Sequence, residues 1–414
     1  MRFFSELAAD VDTAWKRADY DHLAFPEIAA ACLEQRRPSD HVGLLDVVQW
    51  VHSTRDITSW TDFDPKFGQP AVRVYKGLHF YIEVLVWVDS TTSIHQHGFA
   101  GAFHVMDGSS IHSHFGFQRS KRYSEPLVLG DLSLQNIELL ERGAVRPIAS
   151  GERFIHSLFH LDHPSVSVVV RTPGIPSATP QYSYHRAGIG YDPAYGHESL
   201  YLRIETLGLL AGLGHPAFLD TAVNAIQSAT APDAFFLVRS LAARLGDSER
   251  VNQLLDAVGP AHPELLPRLR ALELDQRREF NITLRRKDIQ EKAHRFFLAL
   301  LLNVTSRKDF LRLVHQAYPE TPPVAQVVRW VSELANMPLR DRATGEMSNV
   351  IGLRLDEIAL KVLGHLLSGA NDEQVLSRFR EEFDDADVDE QKDDLLSLCD
   401  QFRKSLLFGA LLQP

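Results

Sequence analysis

Along the first fifty residues apolar side chains recur every three or four positions. Phe3, Phe4, Leu7, Ala8, Val11 and Trp15 fall on one stripe, and LAFPEIAAACLEQ and HVGLLDVVQWV keep the same rhythm, so a helical cap is expected over 1–70. From residue 71 the pattern changes. AVRVY, FYIEVLVWV, FAGAFHVM, SIHSHFGF, PLVLGDLSL, RFIHSLFHL and SVSVVVRT are short runs rich in β-branched and aromatic residues, broken by Gly, Asp, Ser and Pro. Runs this closely spaced predict an antiparallel sandwich or barrel over 71–180. TPGIPSATP (172–180) has the composition of a turn-rich boundary, and the Tyr- and Gly-rich stretch YSYHRAGIGYDPAYGH reads as a connecting loop over 181–200. Residues 201–414 return to helical periodicity in segments such as AFLDTAVNAIQSA and VAQVVRWVSELAN, predicting an all-helical domain; no consensus recurs at a fixed period, which argues against a repeat array.

A chain of 414 residues exceeds what one hydrophobic core usually organises, which fits this division. With 44% hydrophobic and 23% charged residues the composition is that of a globular protein. A net charge of −11 repels a phosphate backbone and no basic patch offsets it, so nucleic acid is not an expected partner. Cys32 and Cys399 alone build neither a disulfide framework nor a cysteine metal site, and a reducing cytoplasm is the expected compartment. The first dozen residues carry acidic groups and no long apolar block, unlike a signal peptide. The longest apolar stretch, FFLALLLNV at 296–304, is too short to cross a bilayer, so no membrane association is expected. D-x-D-x-D at 385, 387 and 389 resembles the start of a calcium loop, but Glu390 replaces the required glycine and Leu396 the closing Glu; a solvated acidic helix face is expected instead. Phosphate-binding, dinucleotide, nucleophile-elbow and zincin motifs are absent.

The distinctive chemistry is histidine. Eight of the nineteen (95, 97, 104, 112, 114, 156, 160 and 163) fall within the β-rich stretch. In TSIHQHG, His95 and His97 stand two apart, so on a strand both imidazoles point to one face and can grip one metal ion. His156, in the strand-like RFIH after the turn PIASG, is the leading third ligand. His112 and His114 copy the spacing in SSIHSHF; they are either alternative ligands or channel-lining groups, or, as we expect, a solvated hairpin face. His104 is expected to be packed or to support the site. His160 and Asp162 form an H-x-D, the start of a two-His-one-carboxylate set if His185 or His197 joins it. Tyr182, Tyr184, Tyr191 and Tyr195 either lid a pocket or, the expected role, pack against the helical half.

These residues resemble the cupin superfamily and, within it, the cysteine dioxygenase-like thiol dioxygenases. The resemblance runs through VLVWVDSTTSIHQHG, Gly108, PIASGERFIH and HPSVSVVVRTP, about 71–175, and leaves the helical half outside. It implies an α+β protein: a cupin (double-stranded β-helix) barrel with N-terminal helices and a large all-α C-terminal domain. It also implies Fe(II) held by His95, His97 and His156. The Glu that many cupins add falls at Gly101 or Ala102, leaving a three-His sphere as in thiol dioxygenases. Such a neutral set keeps the ion's full charge and open positions for an anionic substrate and O2. Arg73 stands near the family's carboxylate-binding Arg. The family's Ser-His-Tyr alternation maps onto Ser167, Val169 and Arg171, so only the Ser is kept, and Arg171 turns a cation into the barrel, suiting a larger or more acidic substrate than cysteine. The expected function is a mononuclear non-haem iron, O2-dependent oxygenase acting on a small thiol or anionic substrate. The alternatives are a non-catalytic metal- or ligand-sensing cupin whose helical domain docks a protein partner, and a 2-oxoglutarate oxygenase built on His160 and Asp162.

Overall fold

The computed structural model describes residues 1–54, 68–88, 92–174, 180–245, 248–286, 289–340, 347–349, 351 and 355–412. Parts of the expected cap (55–67), of the H-x-H approach (89–91) and of the turn-rich boundary (175–179) therefore lie outside the described residues.

Helix α1 (Arg2–Arg17) buries Phe4, Leu7, Ala8, Val11 and Trp15, the stripe its periodicity predicts. It is followed by α2 (Phe25–Arg36), entered through Pro26, by the single turn α3 (Pro38–His41), and by α4 (Leu44–Ser53). The strands come next: β1 (Ala71–Lys76), β2 (Tyr81–Trp87), β3 (Ile94–Gln96), β4 (Gly101–Asp107), β5 (Ser110–Ser124), β6 (Leu127–Leu140), β7 (Val145–Ile148), β8 (Ile155–His160), β9 (Ser165–Arg171), β10 (Ser183–His185) and β11 (Ile189–Tyr191). They form a five-stranded sheet in the order β1-β2-β9-β4-β7 and a closed barrel in the order β10-β11-β6-β5-β8-β3. The fold class is thus the expected α+β, with helices before and after a β-barrel.

Period-two alternation in β2 and β9 sorts the side chains of the five-stranded sheet between two cores. Ile82, Val84, Val166, Val168 and Val170 pack with Phe4, Leu7, Phe25 and Leu33 of the N-terminal helices. Leu85, Trp87 and Val169 face the other way and pack with Phe99, Phe103, Phe154 and Leu158. A sheet covered on both faces explains why these strands read as nearly continuous apolar runs. At the β4–β5 turn Gly108 has φ +78°, and a Cβ there would meet the Ser165 hydroxyl at 2.8 Å, so this position requires glycine.

The stretch expected as a connecting loop over 181–200 supplies two strands instead. β10 pairs with β3 (Ser183 opposite His95) and β11 with β6 (Ile189 opposite Leu129), so this hairpin completes the barrel. Gly188, at φ +78°, makes its turn.

The helices α5 (Glu198–Gly212), α6 (Phe218–Gln227), α7 (Ala231–Ala242), α8 (Ser248–Asp256) and α9 (Leu265–Arg286) follow. Leu200, Phe218, Phe235, Leu254 and Leu269 share a core with Leu127 and Leu129 of β6 and Ile189 and Tyr191 of β11. Packing therefore divides the chain within α9. One compact unit comprises Met1–Asn136 and Leu140–Gln276, the other Ile137–Leu139 and Arg277–Pro414. The change of secondary structure near residue 200 is not the edge of a core, because α5–α9 carry apolar faces that the barrel's outer surface buries.

The second unit contains α10 (Lys292–Asn303), α11 (Arg307–Ala317), α12 (Pro323–Ala335), the short strands β12 (Pro338–Arg340) and β13 (Met347–Asn349), α13 (Glu357–Leu367), α14 (Asp372–Glu382), α15 (Asp385–Glu390), α16 (Lys392–Lys404) and α17 (Gly409–Leu412). FFLALLLNV is the buried centre of this unit. Asp385, Asp387 and Asp389 lie exposed on α15, a solvated acidic face as expected. Among the described residues no helix is long and apolar enough to cross a membrane.

Candidate metal centre

Strand β3 is only three residues long, yet it is held on every side. The Gln96 N–H donates to the Tyr182 carbonyl (3.0 Å), and the Gly151 N–H, in the turn before β8, donates to the His97 carbonyl (2.8 Å). Buried Gln96 points away from the two histidines; its Nε2 donates to the Pro180 carbonyl (2.7 Å), and its Oε1 accepts from the Tyr184 hydroxyl (2.6 Å). His95 and His97 consequently share the opposite face, as the H-x-H spacing predicts.

The third histidine arrives by register. β8 runs antiparallel to β3 with His156 directly opposite His95, which places both side chains on the same face. Ring centroids are 4.7 Å apart for His95–His97, 4.7 Å for His95–His156 and 4.9 Å for His97–His156. One ligand nitrogen from each ring lies within 4.8 Å of the others, and the Nε2 atoms of His97 and His156 are 2.8 Å apart. All three residues are buried. Burial lowers the pKa of His95 and holds His97 and His156 well below the usual histidine value; the neighbouring imidazoles, and Arg171 in the case of His97, add to the effect. Burial thus favours the neutral ring, the form in which imidazole ligates metal.

The surroundings fit a metal. His95 Nδ1 donates to the Ser93 carbonyl (2.7 Å), which leaves its Nε2 as the lone-pair nitrogen. The expected lack of a carboxylate ligand has a steric basis: a Cβ at Gly101 would stand 2.2 Å from the Val170 carbonyl oxygen, and Ala102 packs into the core beneath the N-terminal helices. Among the described residues, the donors that converge there are imidazoles.

The triad opens on a small, partly enclosed cavity. Leu85, Trp87, Phe99, Phe103, Ile148, Leu158 and Val169 make most of the wall, and Glu83, Ser167 and Arg171 add polar groups. Ser167, Val169 and Arg171 all face this space, as their alternation on β9 predicts. Arg171 lies 3.7 Å above the Phe99 ring, and Phe99 in turn lies 4.5 Å from the His97 ring. The Nε of Arg171 is buried and has no hydrogen-bond partner.

Arg73 is not part of the wall. It stands opposite Glu83 across β1 and β2, and its Nη2 (2.9 Å) and Nε (3.3 Å) both donate to Glu83 Oε1. Glu83 Oε2 is 3.8 Å from Arg171 Nη1, and Tyr81 lies beneath both guanidiniums, 4.0 Å from Arg73 and 5.1 Å from Arg171. Sequence reasoning passed over Glu83. Its signal was a single acid in the apolar run YIEVLVW, on the same face as Leu85 and Trp87.

The expectation that His112 and His114 form a solvated hairpin face is overturned. On β5 residues 110–113 and Phe115 are buried, and His114 among them is half-buried. His112 is 3% exposed, and its Nε2 lies 3.1 Å from His156 Nδ1; His114 stands opposite His156 in register. His104 is packed, as expected, its Nε2 accepting from the Ser39 N–H (3.2 Å).

His160 and Asp162 do not converge with His185 or His197. His160 stacks on Trp87 (4.7 Å) and pairs with the Ser110 hydroxyl (2.9 Å), while Asp162 accepts from the Ser109 hydroxyl (2.6 Å). His185 stacks on Tyr191 (5.1 Å), and His197 pairs with Asp233 (3.1 Å). Of the four tyrosines none lines the cavity; Tyr191 and Tyr195 pack on Phe236 of α7, while Tyr182 and Tyr184 belong to the barrel. Elsewhere among the described residues, His294 sits between Glu291 (3.0 Å, at Nδ1) and Glu333 (2.8 Å, at Nε2). Their ligand atoms lie within 4.8 Å of one another, a second and more exposed group that could hold a cation.

No family model and no curated protein matches the chain. Among solved structures it is similar to hydroquinone 1,2-dioxygenase from Sphingomonas sp. TTNP3 with 4-hydroxybenzoate bound, at 15% identity over 26% of this chain and 68% of that one, with a TM-score of 0.21. It is also similar to a hydroquinone 1,2-dioxygenase in complex with Cd2+ and 4-hydroxybenzonitrile, at 18% identity over 25% of this chain and 63% of that one, with a TM-score of 0.20. A third likeness is to the DMSP lyase DddQ from Ruegeria pomeroyi DSS-3, at 14% identity over 43% of this chain and 94% of that one, with a TM-score of 0.22.

Proposed function

We propose that this chain is a mononuclear non-haem iron, O2-dependent oxygenase of cysteine dioxygenase-like type, acting on an anionic substrate with an apolar body. The observation that carries this reading is the meeting of three neutral, buried imidazoles at the wall of a cavity that also presents a cation, Arg171. Fe(II) bound there would supply open coordination positions for an anionic substrate donor and for O2. His95, His97 and His156 hold the ion without cancelling its charge. Arg171, stacked on Phe99, takes the substrate's carboxylate; a guanidinium fork matches that group. Leu85, Trp87, Phe103, Ile148 and Leu158 exclude water and accept the apolar body, while Ser167 offers a hydroxyl. A thiol carboxylate bulkier than cysteine is the first substrate class to try. The partners we propose are this small molecule and O2, together with a protein docked by the helical region, and neither nucleic acid nor membrane.

Purified protein is expected to bind about one iron per chain, and His97→Ala to lose both the metal and O2 consumption. Unchanged iron content in that variant overturns the reading. An oxygen electrode with thiol carboxylates distinguishes turnover from binding without consumption, the behaviour of a sensor. Dependence on added 2-oxoglutarate would count against the thiol dioxygenase-like type.

A further inference from the structure

We infer that His112 is a positioning residue for the metal centre, fixing the tautomer and aim of His156; this rests on the metal reading above. The Nε2 atoms of His97 and His156 lie 2.8 Å apart, so an ion shared by both needs a lone pair from each. A neutral His156 that gives its Nε2 lone pair away carries its proton on Nδ1. His112 Nε2 stands 3.1 Å from that Nδ1. The two rings meet at 79°, with centroids 5.2 Å apart, so they do not stack.

The pairing is built into the sheet. β5 and β8 are antiparallel, with His112 opposite Leu158 and His114 opposite His156, which places His112 one step along the same face from the ligand. Phe103 and Phe154 flank the His112 ring at 6.0 and 5.9 Å and confine it. At 3% exposure, His112 faces little competition from water for the His156 proton. The three ligands therefore do not share one outer partner: His95 is oriented by a backbone carbonyl, and His156 by the acceptor nitrogen of a fourth histidine.

The test compares metal affinity, measured by chelator competition with Fe(II) and with Co(II), in native protein, His112→Leu and His112→Gln. Loss of an outer-shell partner of this kind typically weakens binding by roughly 10- to 100-fold. His112→Leu should show that loss, and His112→Gln, whose carbonyl can still accept from Nδ1–H, should regain most of it, with the metal-free thermal midpoint alike in all three. Native affinity in His112→Leu, or a Gln variant as weak as the Leu variant, overturns the inference. Should the Leu variant misfold, nitrogen NMR of the native protein loaded with diamagnetic Zn(II) decides: scalar coupling across the hydrogen bond from His156 Nδ1–H to His112 Nε2 upholds the inference, and a His156 Nδ1–H with no such coupling overturns it. Native protein that binds no metal defeats the metal reading itself, whereas tight native binding with an unaffected His112→Leu defeats this inference alone.

Discussion

Glu83 decides what Arg73, beside it on β1, and Arg171, in the cavity wall, can each do. Its Oε1 is taken by two donors from Arg73, whereas Arg171 stays 3.8 Å from Oε2 and keeps its guanidinium toward the cavity. The two substitutions should therefore differ in kind. Arg171→Met is expected to raise KM for an anionic substrate by roughly 10- to 100-fold, the loss of one charge-assisted pair, with iron content unchanged. Steady-state kinetics beside metal analysis checks this, and an unaltered KM would remove Arg171 from substrate binding. Arg73→Met leaves a buried carboxylate without its main partner and is expected to cost about 3–5 kcal/mol of stability, read from the denaturation midpoint. Both arginines were visible in the sequence, but their division of labour was not. It depends on a cross-strand pair that only the β1–β2 register reveals.

At the scale of elements, strands with two covered faces were legible, because AVRVY, FYIEVLVWV and SVSVVVRT carry β-branched or other apolar residues at most positions. The H-x-H and the later His were legible too, since a two-residue spacing fixes a face without knowledge of the partner strand. Three features were not. The hairpin β10–β11 is two three-residue strands inside a Tyr- and Gly-rich stretch, held by pairings with distant β3 and β6 rather than by its own propensity. His112 and His114 read as polar alternation, and only closure of the barrel turns that face inward. The support beneath the H-x-H was also hidden: Tyr184 of β10 reaches Gln96 between the two ligands. Tyr184→Phe is expected to cost about 1–2 kcal/mol, for a buried acceptor left without its donor. It should also speed metal release several-fold, as the short strand loosens. Stopped-flow chelation measures that rate, and a rate equal to the native one would confine Tyr184 to general stability.

For the whole molecule, the division by composition near residue 200 and the division by packing within α9 differ because burial ignores secondary-structure class. The core that joins α5–α9 to β6 and β11 also contributes to the chain's response to acid. His185 of β10 stacks on Tyr191, with its Nε2 buried and without a hydrogen-bond partner. Burial first, and the nearby Arg239 charge second, push its pKa down to about 3. In the unfolded chain a histidine titrates near ~6.5, so between these values the unfolded state binds the proton and the folded state does not. Stability therefore falls as pH drops below ~6.5 and goes on falling until the folded-state value is reached. From this one group the loss at about pH 5 is about 2 kcal/mol relative to neutral pH. His104, lowered to about 4 chiefly by burial beneath α3, acts in the same direction. His185→Phe keeps the stack on Tyr191 and removes the titration. Urea denaturation of native and variant protein at pH 5 and pH 8 should therefore show the variant's advantage growing by about 2 kcal/mol on acidification. An advantage independent of pH would mean that His185 is solvated or paired in the folded protein, and that this core does not hold it in the neutral form.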